Sequence, residues 1–163
     1  RIRALAQEIT RKATTDGRRA QLIQDWLRSP LFSYSLDPAP GSGYEALTRF
    51  LFDDRRGYCE QFATSMAVLA RAVGIPARYV SGYVLPASEP AVNSPQTGES
   101  HAWLQWWDGE WVSFDPTAGR APDDFSVELA RGRDYRDVTP LRGIFTGVRT
   151  SSMFVEVEVT RLA

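Results

Sequence analysis

Apolar residues recur after Cys59 at offsets of 3, 4, 7, 8, 11 and 14 positions, as Phe62, Ala63, Met66, Ala67, Ala70 and Val73, and Gly74 with Pro76 closes the run. That spacing predicts an amphipathic helix beginning at Cys59, with one face that must be buried against something else. The second half of the chain supplies that surface. Residues 77–85, 101–107, 111–114 and 153–162 are rich in β-branched and aromatic side chains and are separated by turn residues, which predicts strands. The first half is mainly helical: Ile2, Leu5, Ala6 and Ile9 mark one helix over 2–14, and Leu22, Ile23, Trp26 and Leu27 mark a second, stopped by Pro30. A short strand over 31–36, a loop over 38–43 and a helix over 44–52 complete it. Helices before strands is the order of an α+β domain with an antiparallel sheet, rather than of a doubly wound α/β fold. No repeat or internal boundary interrupts the pattern, so residues 1–163 are expected to form a single domain. The polar stretch 86–98, with three prolines, reads as a mobile loop.

Composition removes several classes of function. With Cys59 the only cysteine and His101 the only histidine, no disulfide framework and no Cys/His zinc site can be assembled, and neither metal nor cofactor is expected. Asp53-Asp54 and Asp123-Asp124 lack the alternating oxygen ligands of a calcium loop and read as solvated turns. Nineteen Lys and Arg stand against twenty Asp and Glu, so no surplus of positive charge exists to follow a phosphate backbone, and nucleic acid is not an expected partner. Residues 143–152 resemble a phosphate loop only superficially, because Val148-Arg149 stands where Gly-Lys-Ser/Thr is required. No G-x-S-x-G elbow supports a serine hydrolase. No apolar run reaches the roughly 18 residues of a membrane span and no signal peptide is visible, so this segment is expected to make no membrane contact. A chain that starts at Arg1 reads as a piece of something longer. Arg78 and Arg120 are assigned to surface or structural pairing rather than to carboxylate binding.

Cys59 follows Gly57-Tyr58 at the first turn of its predicted helix, where unpaired N–H groups and the macrodipole amount to about half a positive charge. An anionic sulfur is favoured there. Two readings stay open on position alone: a small buried cysteine heading a core stripe, or a nucleophile. A nucleophilic thiol needs a base within hydrogen-bond reach, and His101 is the only imidazole available. The strand pair around Asp108-Gly109 then offers a test, because antiparallel partners have position numbers of constant sum. A two-residue turn at 108–109 gives the sum 217 and puts Asp115 on the face opposite His101. A three-residue loop Trp107-Asp108-Gly109 gives 216 and sets His101 directly across from Asp115. In that register Ala102, Leu104, Trp106, Val112 and Phe114 form an apolar core face, while Trp103, Gln105, Trp111 and Ser113 share a cleft face with His101 and Asp115. Helix-terminal thiol, strand imidazole and neighbouring carboxylate are the parts of a Cys-His-Asp relay.

The blocks Gly57-Tyr-Cys-Glu-Gln-Phe-Ala63, Arg71-Ala-Val-Gly-Ile-Pro-Ala-Arg-Tyr-Val-Ser-Gly-Tyr83, Ser100-His-Ala-Trp103 and Asp115-Pro-Thr117 resemble, in order, those of the bacterial transglutaminase-like proteins. The stretch from Gly132 to Gly143 and the closing strand resemble the end of one bacterial branch, so the likeness covers roughly residues 20–160. It implies the papain-like α+β core of that superfamily, with the nucleophile helix packed on an antiparallel sheet. It also implies Cys59 as nucleophile, His101 as base and Asp115 as its orienter. The expected reaction is acyl transfer on protein or peptide amides through a Cys59 thioester. Glutamine or another amide is the donor, and a lysine or other amine is one acceptor. Water as acceptor would make the chain a cysteine peptidase or amidohydrolase, and a binding module without turnover is the third reading. The Cys59 N–H is one expected oxyanion donor, and Tyr34 or Tyr44 are candidates for a second. Tryptophans 103, 106, 107 and 111 suit either core packing or a water-poor cleft. The family includes cytoplasmic and membrane-anchored extracytoplasmic members, and the resemblance leaves both compartments open.

Overall fold

The computed structural model describes residues 1–39, 41, 43–85, 91–139 and 156–162, and the order of helices before strands holds in it. Helix α1 runs Ile2–Thr10, four residues short of its sequence expectation, because the chain turns at 11–14 to free Thr15 as a cap. Thr15 is extended and its hydroxyl accepts the Arg18 N–H at 3.2 Å, which starts α2 (Asp16–Leu27). Instead of a strand over 31–36 there is a two-residue segment, β1 (Ser33–Tyr34). The third helix, α3 (Gly43–Arg49), passes into a π-helical turn over Phe50–Asp54 that ends at Arg55 in the left-handed region, φ 51°. β2 (Arg56–Gly57) pairs in parallel with β1, matching Ser33 with Arg56 and Tyr34 with Gly57. Helix α4 (Cys59–Ala72) begins at the predicted residue and is followed by β3 (Ala77–Val84), β4 (Pro95–Thr97), β5 (Glu99–Trp107), β6 (Trp111–Phe114), β7 (Ser126–Gly132) and β8 (Glu158–Thr160).

The main sheet has the order β6-β5-β3-β7, antiparallel throughout. The apolar stripe of α4 lies on it: Phe62, Met66, Ala67, Leu69 and Ala70 share one core with Leu104 and Trp106 of β5 and with Ile23 and Leu27 of α2. Phe32, Phe50 and Phe62 stack in sequence at centroid separations of 5.2–6.3 Å and lock the π-helical turn to α4. The fold is therefore α+β, with the helical layer against one face of an antiparallel sheet.

Three further features depart from the sequence expectation. β7 lies outside the predicted strands; it is an edge strand whose Leu129 is exposed, so its apolar alternation is weak. The expected loop over 86–98 contributes β4, which pairs with β8, and residues 86–90 lie outside the described residues. So do residues 153–155 of the expected last strand and the whole of 143–152.

The third departure is the β5–β6 register. It pairs Leu104 with Phe114, Gln105 with Ser113, Trp106 with Val112 and Trp107 with Trp111, a constant sum of 218 rather than 217 or 216. The loop is Asp108-Gly109-Glu110, with Gly109 at φ 84° and the Asp108 N–H bonded to the Glu110 carbonyl at 2.9 Å. Trp107 and Trp111 meet edge to face at 5.3 Å, and this cross-strand pair carries the ladder one residue further than expected.

Candidate active site

Cys59 is the first residue of α4, and its entry is built tightly. Gln61 Oε1 reaches back to accept the Tyr58 N–H at 3.0 Å, as in a capping box. The next N–H groups bond inward, from Gln61 and Phe62 to the Tyr58 carbonyl. The Cys59 N–H finds no acceptor among the described residues, so one backbone donor is left beside the sulfur. The residue itself is buried among Ala63, Tyr79, Ala102 and Val138.

His101 lies on β5 across from Gly82 of β3. Continuing the β5–β6 register sets Asp115 beside Trp103, one diagonal step from His101, on the same face because 218 and 216 have the same parity. That step is within reach of the two side chains: His101 Nε2 and Asp115 Oδ2 are 2.7 Å apart. The carboxylate is fixed at its other oxygen, since Asp115 Oδ1 accepts the N–H groups of Thr117 (2.8 Å) and Ala118 (3.2 Å). The turn that does this is tied to α2, because Gln24 Nε2 donates to the Gly119 carbonyl and Arg28 Nη1 to the Thr117 carbonyl. Sequence reading identifies Asp115 but not its supports. The only signal is the Asp-Pro-Thr run, in which an aspartate folds back on amides two and three residues ahead.

With Nε2 committed to Asp115, Nδ1 is the ring nitrogen left to exchange a proton with Cys59. Burial opposes the imidazolium, but hydrogen bonds to Asp115 and to Cys59, with their charges, outweigh it and raise the His101 pKa to about 9. Glu60 is held above the usual carboxylate range by burial, although the Tyr58 hydroxyl donates to it at 2.9 Å.

The two tyrosines proposed from sequence separate. Tyr34 sits on β1 opposite Gly57; it is 55% exposed, and its hydroxyl is raised by partial burial and by the charges of Cys59, Glu99 and Asp115, which places it near those groups. Tyr44 is largely exposed on α3. The tryptophans do not form one cleft wall. Trp106 belongs to the core under α4, while Trp107 and Trp111 cluster at the hairpin end. Trp103 alone flanks His101, at 6.2 Å between ring centroids, and it is 2% exposed, so the sheet is covered at this point rather than open. It lies over Gly82, where a Cβ would stand 2.6 Å from its ring.

Comparison with known proteins finds relatives of the same fold. The family model described as the transglutaminase-like superfamily matches residues 3–116. A protein-glutamine gamma-glutamyltransferase of Pseudomonas aeruginosa is 41% identical over 150 residues, 86% of this chain and 22% of that protein. An uncharacterized protein of Mycobacterium leprae is 40% identical over 144 residues, 85% of this chain and 48% of its own length. The chain thus spans about half, or less, of these relatives. Among solved structures, a cysteine-protease candidate from Cytophaga hutchinsonii aligns with a TM-score of 0.66 at 26% identity, over 85% of this chain and 44% of that one. The periplasmic domain of TgpA from Pseudomonas aeruginosa aligns with a TM-score of 0.61 at 36% identity, over 71% and 41%.

Proposed function

This chain belongs to the transglutaminase-like superfamily, and from that membership we propose that it transfers acyl groups from protein or peptide amides through a thioester on Cys59. The observation that carries the reading is the His101–Asp115 contact of 2.7 Å beside a cysteine at a helix N-terminus. His101 is held as the imidazolium, because the hydrogen bonds and charges of Asp115 and Cys59 outweigh burial and raise its pKa to about 9. The thiolate attacks the amide carbonyl carbon. The Cys59 N–H holds the developing oxyanion, with the Tyr34 hydroxyl as second donor. His101 gives its Nδ1 proton to the leaving nitrogen, which departs as ammonia when the donor is glutamine. The neutral imidazole then takes a proton from the incoming nucleophile as it attacks the thioester. A lysine amine gives an isopeptide bond, and water gives hydrolysis. Transamidation is the preferred reading because one relative, 41% identical, is named a protein-glutamine gamma-glutamyltransferase.

Mass spectrometry of the chain with a glutamine-rich protein and a primary amine tests this directly. Amine incorporation that requires Cys59 is expected. Cys59-dependent cleavage or deamidation without incorporation would move the assignment to a hydrolase, and absence of all three would favour a binding module.

The pH profile is set by His101. A raised pKa means the charged imidazole is the form the folded site stabilises, so kcat/KM should fall as pH rises through about 9. By the same linkage, stability from this group is complete below its ordinary value of 6.5 and is lost between there and about 9. Asp115→Asn should shift the alkaline limb down by at least about one pH unit, since it removes the charge and weakens the charge-assisted hydrogen bond that hold the proton. An alkaline limb that does not move in the folded variant would remove Asp115 from the relay.

A further inference from the structure

Where β7 parts from β3 the surface opens into a groove of about 700 Å3. β3 pairs with β5 along its whole length but with β7 only from Tyr79 onward, so Ala77 and Arg78 border the gap. Arg71 of α4, Arg78, and Arg131 and Arg133 at the end of β7 surround it, and Trp111 of β6 forms an aromatic wall. These guanidinium groups are not equivalent. Arg131 is matched by Glu128 at 2.6 Å and Arg133 by Asp137 at 3.0 Å. Arg71 and Arg78 have no carboxylate within ion-pair distance among the described residues; their partners are neutral.

Both are nonetheless held in place. Arg71 spends Nε and Nη2 on the Ala77 carbonyl, at 2.9 and 2.7 Å, which leaves Nη1. Arg78 spends only Nε, on Gln105 Oε1 at 2.6 Å, and its guanidinium lies 4.1 Å over the Trp111 ring, which leaves both Nη groups. Gln105 is anchored in turn by Ser113 Oγ at 2.9 Å and Glu128 Oε2 at 3.1 Å. Burial and the positive charge of Arg131 both weigh against the Arg78 charge and Glu128 only partly offsets them, so an anion between the two arginines would relieve the repulsion. Glu128 and Asp134 offset part of the charge of Arg78 and Arg71 from beyond ion-pair distance, and Asp137 also lines the groove, yet four guanidinium groups outnumber these carboxylates. Oriented N–H groups fixed before a ligand arrives match the planar fork of a carboxylate at little cost in side-chain entropy. Ala77, the arginine stems and Trp111 supply apolar walls on which neighbouring residues of a longer ligand would rest.

We infer that this groove binds an acidic polypeptide segment, with Arg78 and Arg71 gripping a side-chain or terminal carboxylate and Trp111 packing against the adjoining chain. The site is separate from the triad, so the inference stands whichever acceptor Cys59 uses.

The test is a titration of acetyl-tetraglutamate amide into the 163-residue chain, read from the indole N–H resonances, with Trp111 assigned through Trp111→Phe. Acetyl-tetraglutamine amide and inorganic phosphate run in parallel. The glutamate peptide should shift the Trp111 resonance saturably, the glutamine peptide should not, and Arg78→Gln should weaken binding at least tenfold. Arg78→Lys, which keeps the charge and loses the fork, should fall between, and it serves as the comparison if Arg78→Gln does not fold. An unmoved Trp111 signal, equal binding of the glutamine peptide, or unchanged affinity in a folded Arg78 variant would overturn the inference. Phosphate binding as tight as that of the peptide would also overturn it, in favour of a free-phosphate site.

Discussion

Cys59→Ala should lower turnover by at least about 10⁴-fold while leaving the chain folded. The substitution removes one sulfur from a site already lined by Ala63, Tyr79 and Ala102, so little volume is lost and a stability change within roughly 1 kcal/mol is expected. Loss of activity and retention of fold are measured separately, by amine incorporation and by thermal unfolding. A variant that loses both would assign Cys59 to the core instead of to chemistry. One secondary effect distinguishes the two roles further. Cys59 helps hold the His101 proton, so the alanine variant should show a lower imidazole pKa by NMR. An inert structural cysteine would leave that pKa where it is.

The second large effect is on stability. Gly82→Ala is expected to destabilise the fold by at least about 2 kcal/mol, a fall in Tm of at least roughly 4–8 °C for a domain of this size. A Cβ at this position would overlap the Val127 carbonyl and stand 2.6 Å from Cη2 of Trp103. Neither neighbour has an easy retreat, since Val127 is backbone in the paired edge strand and Trp103 is fully enclosed. The β3–β7 register shifts between Ser81 and Gly82, so the strands are already bent together at the point where the methyl would enter. Gly17→Ala is the control. Gly17 lies in α2, where a Cβ meets nothing closer than 3.5 Å, and the change should stabilise by roughly 0.5–1 kcal/mol through reduced chain entropy. Equal Tm values for the two variants would contradict the described packing of Trp103 on Gly82. Activity should fall in Gly82→Ala as well, because the displaced indole neighbours His101.

The parts of the candidate site that are legible in the sequence are those set by local rules. Periodicity marks the first residue of α4, and the three-residue-loop register puts His101 and Asp115 on one face, which survives its error of two in the register sum, whereas the two-residue turn would have parted them. The register itself is not legible, because the Trp107–Trp111 pair that sets it competes with a turn at Asp108-Gly109 that short-range patterns also favour. The burial of Trp103 escapes for a different reason. Its cover comes from Gly82 and the segments around it, and β7 carries too little alternation to be recognised in advance. Likewise Gln24 and Arg28 look like ordinary polar positions on α2. Their carbonyl partners lie in a turn about ninety positions later, a relation no local window contains.

That same separation governs when the site comes into being. Cys59 and His101 are forty-two positions apart, and Asp115 depends on a turn stapled to the second helix. The nucleophile helix is a local structure and forms early, whereas its imidazole arrives only after three strands have aligned across long chain separations. A nascent or partly folded molecule therefore carries a thiol without a partner and an unanchored aspartate. On the proposed chemistry the sulfur gains its imidazole only once the sheet is assembled, so that reactivity of Cys59 would itself report completion of the fold.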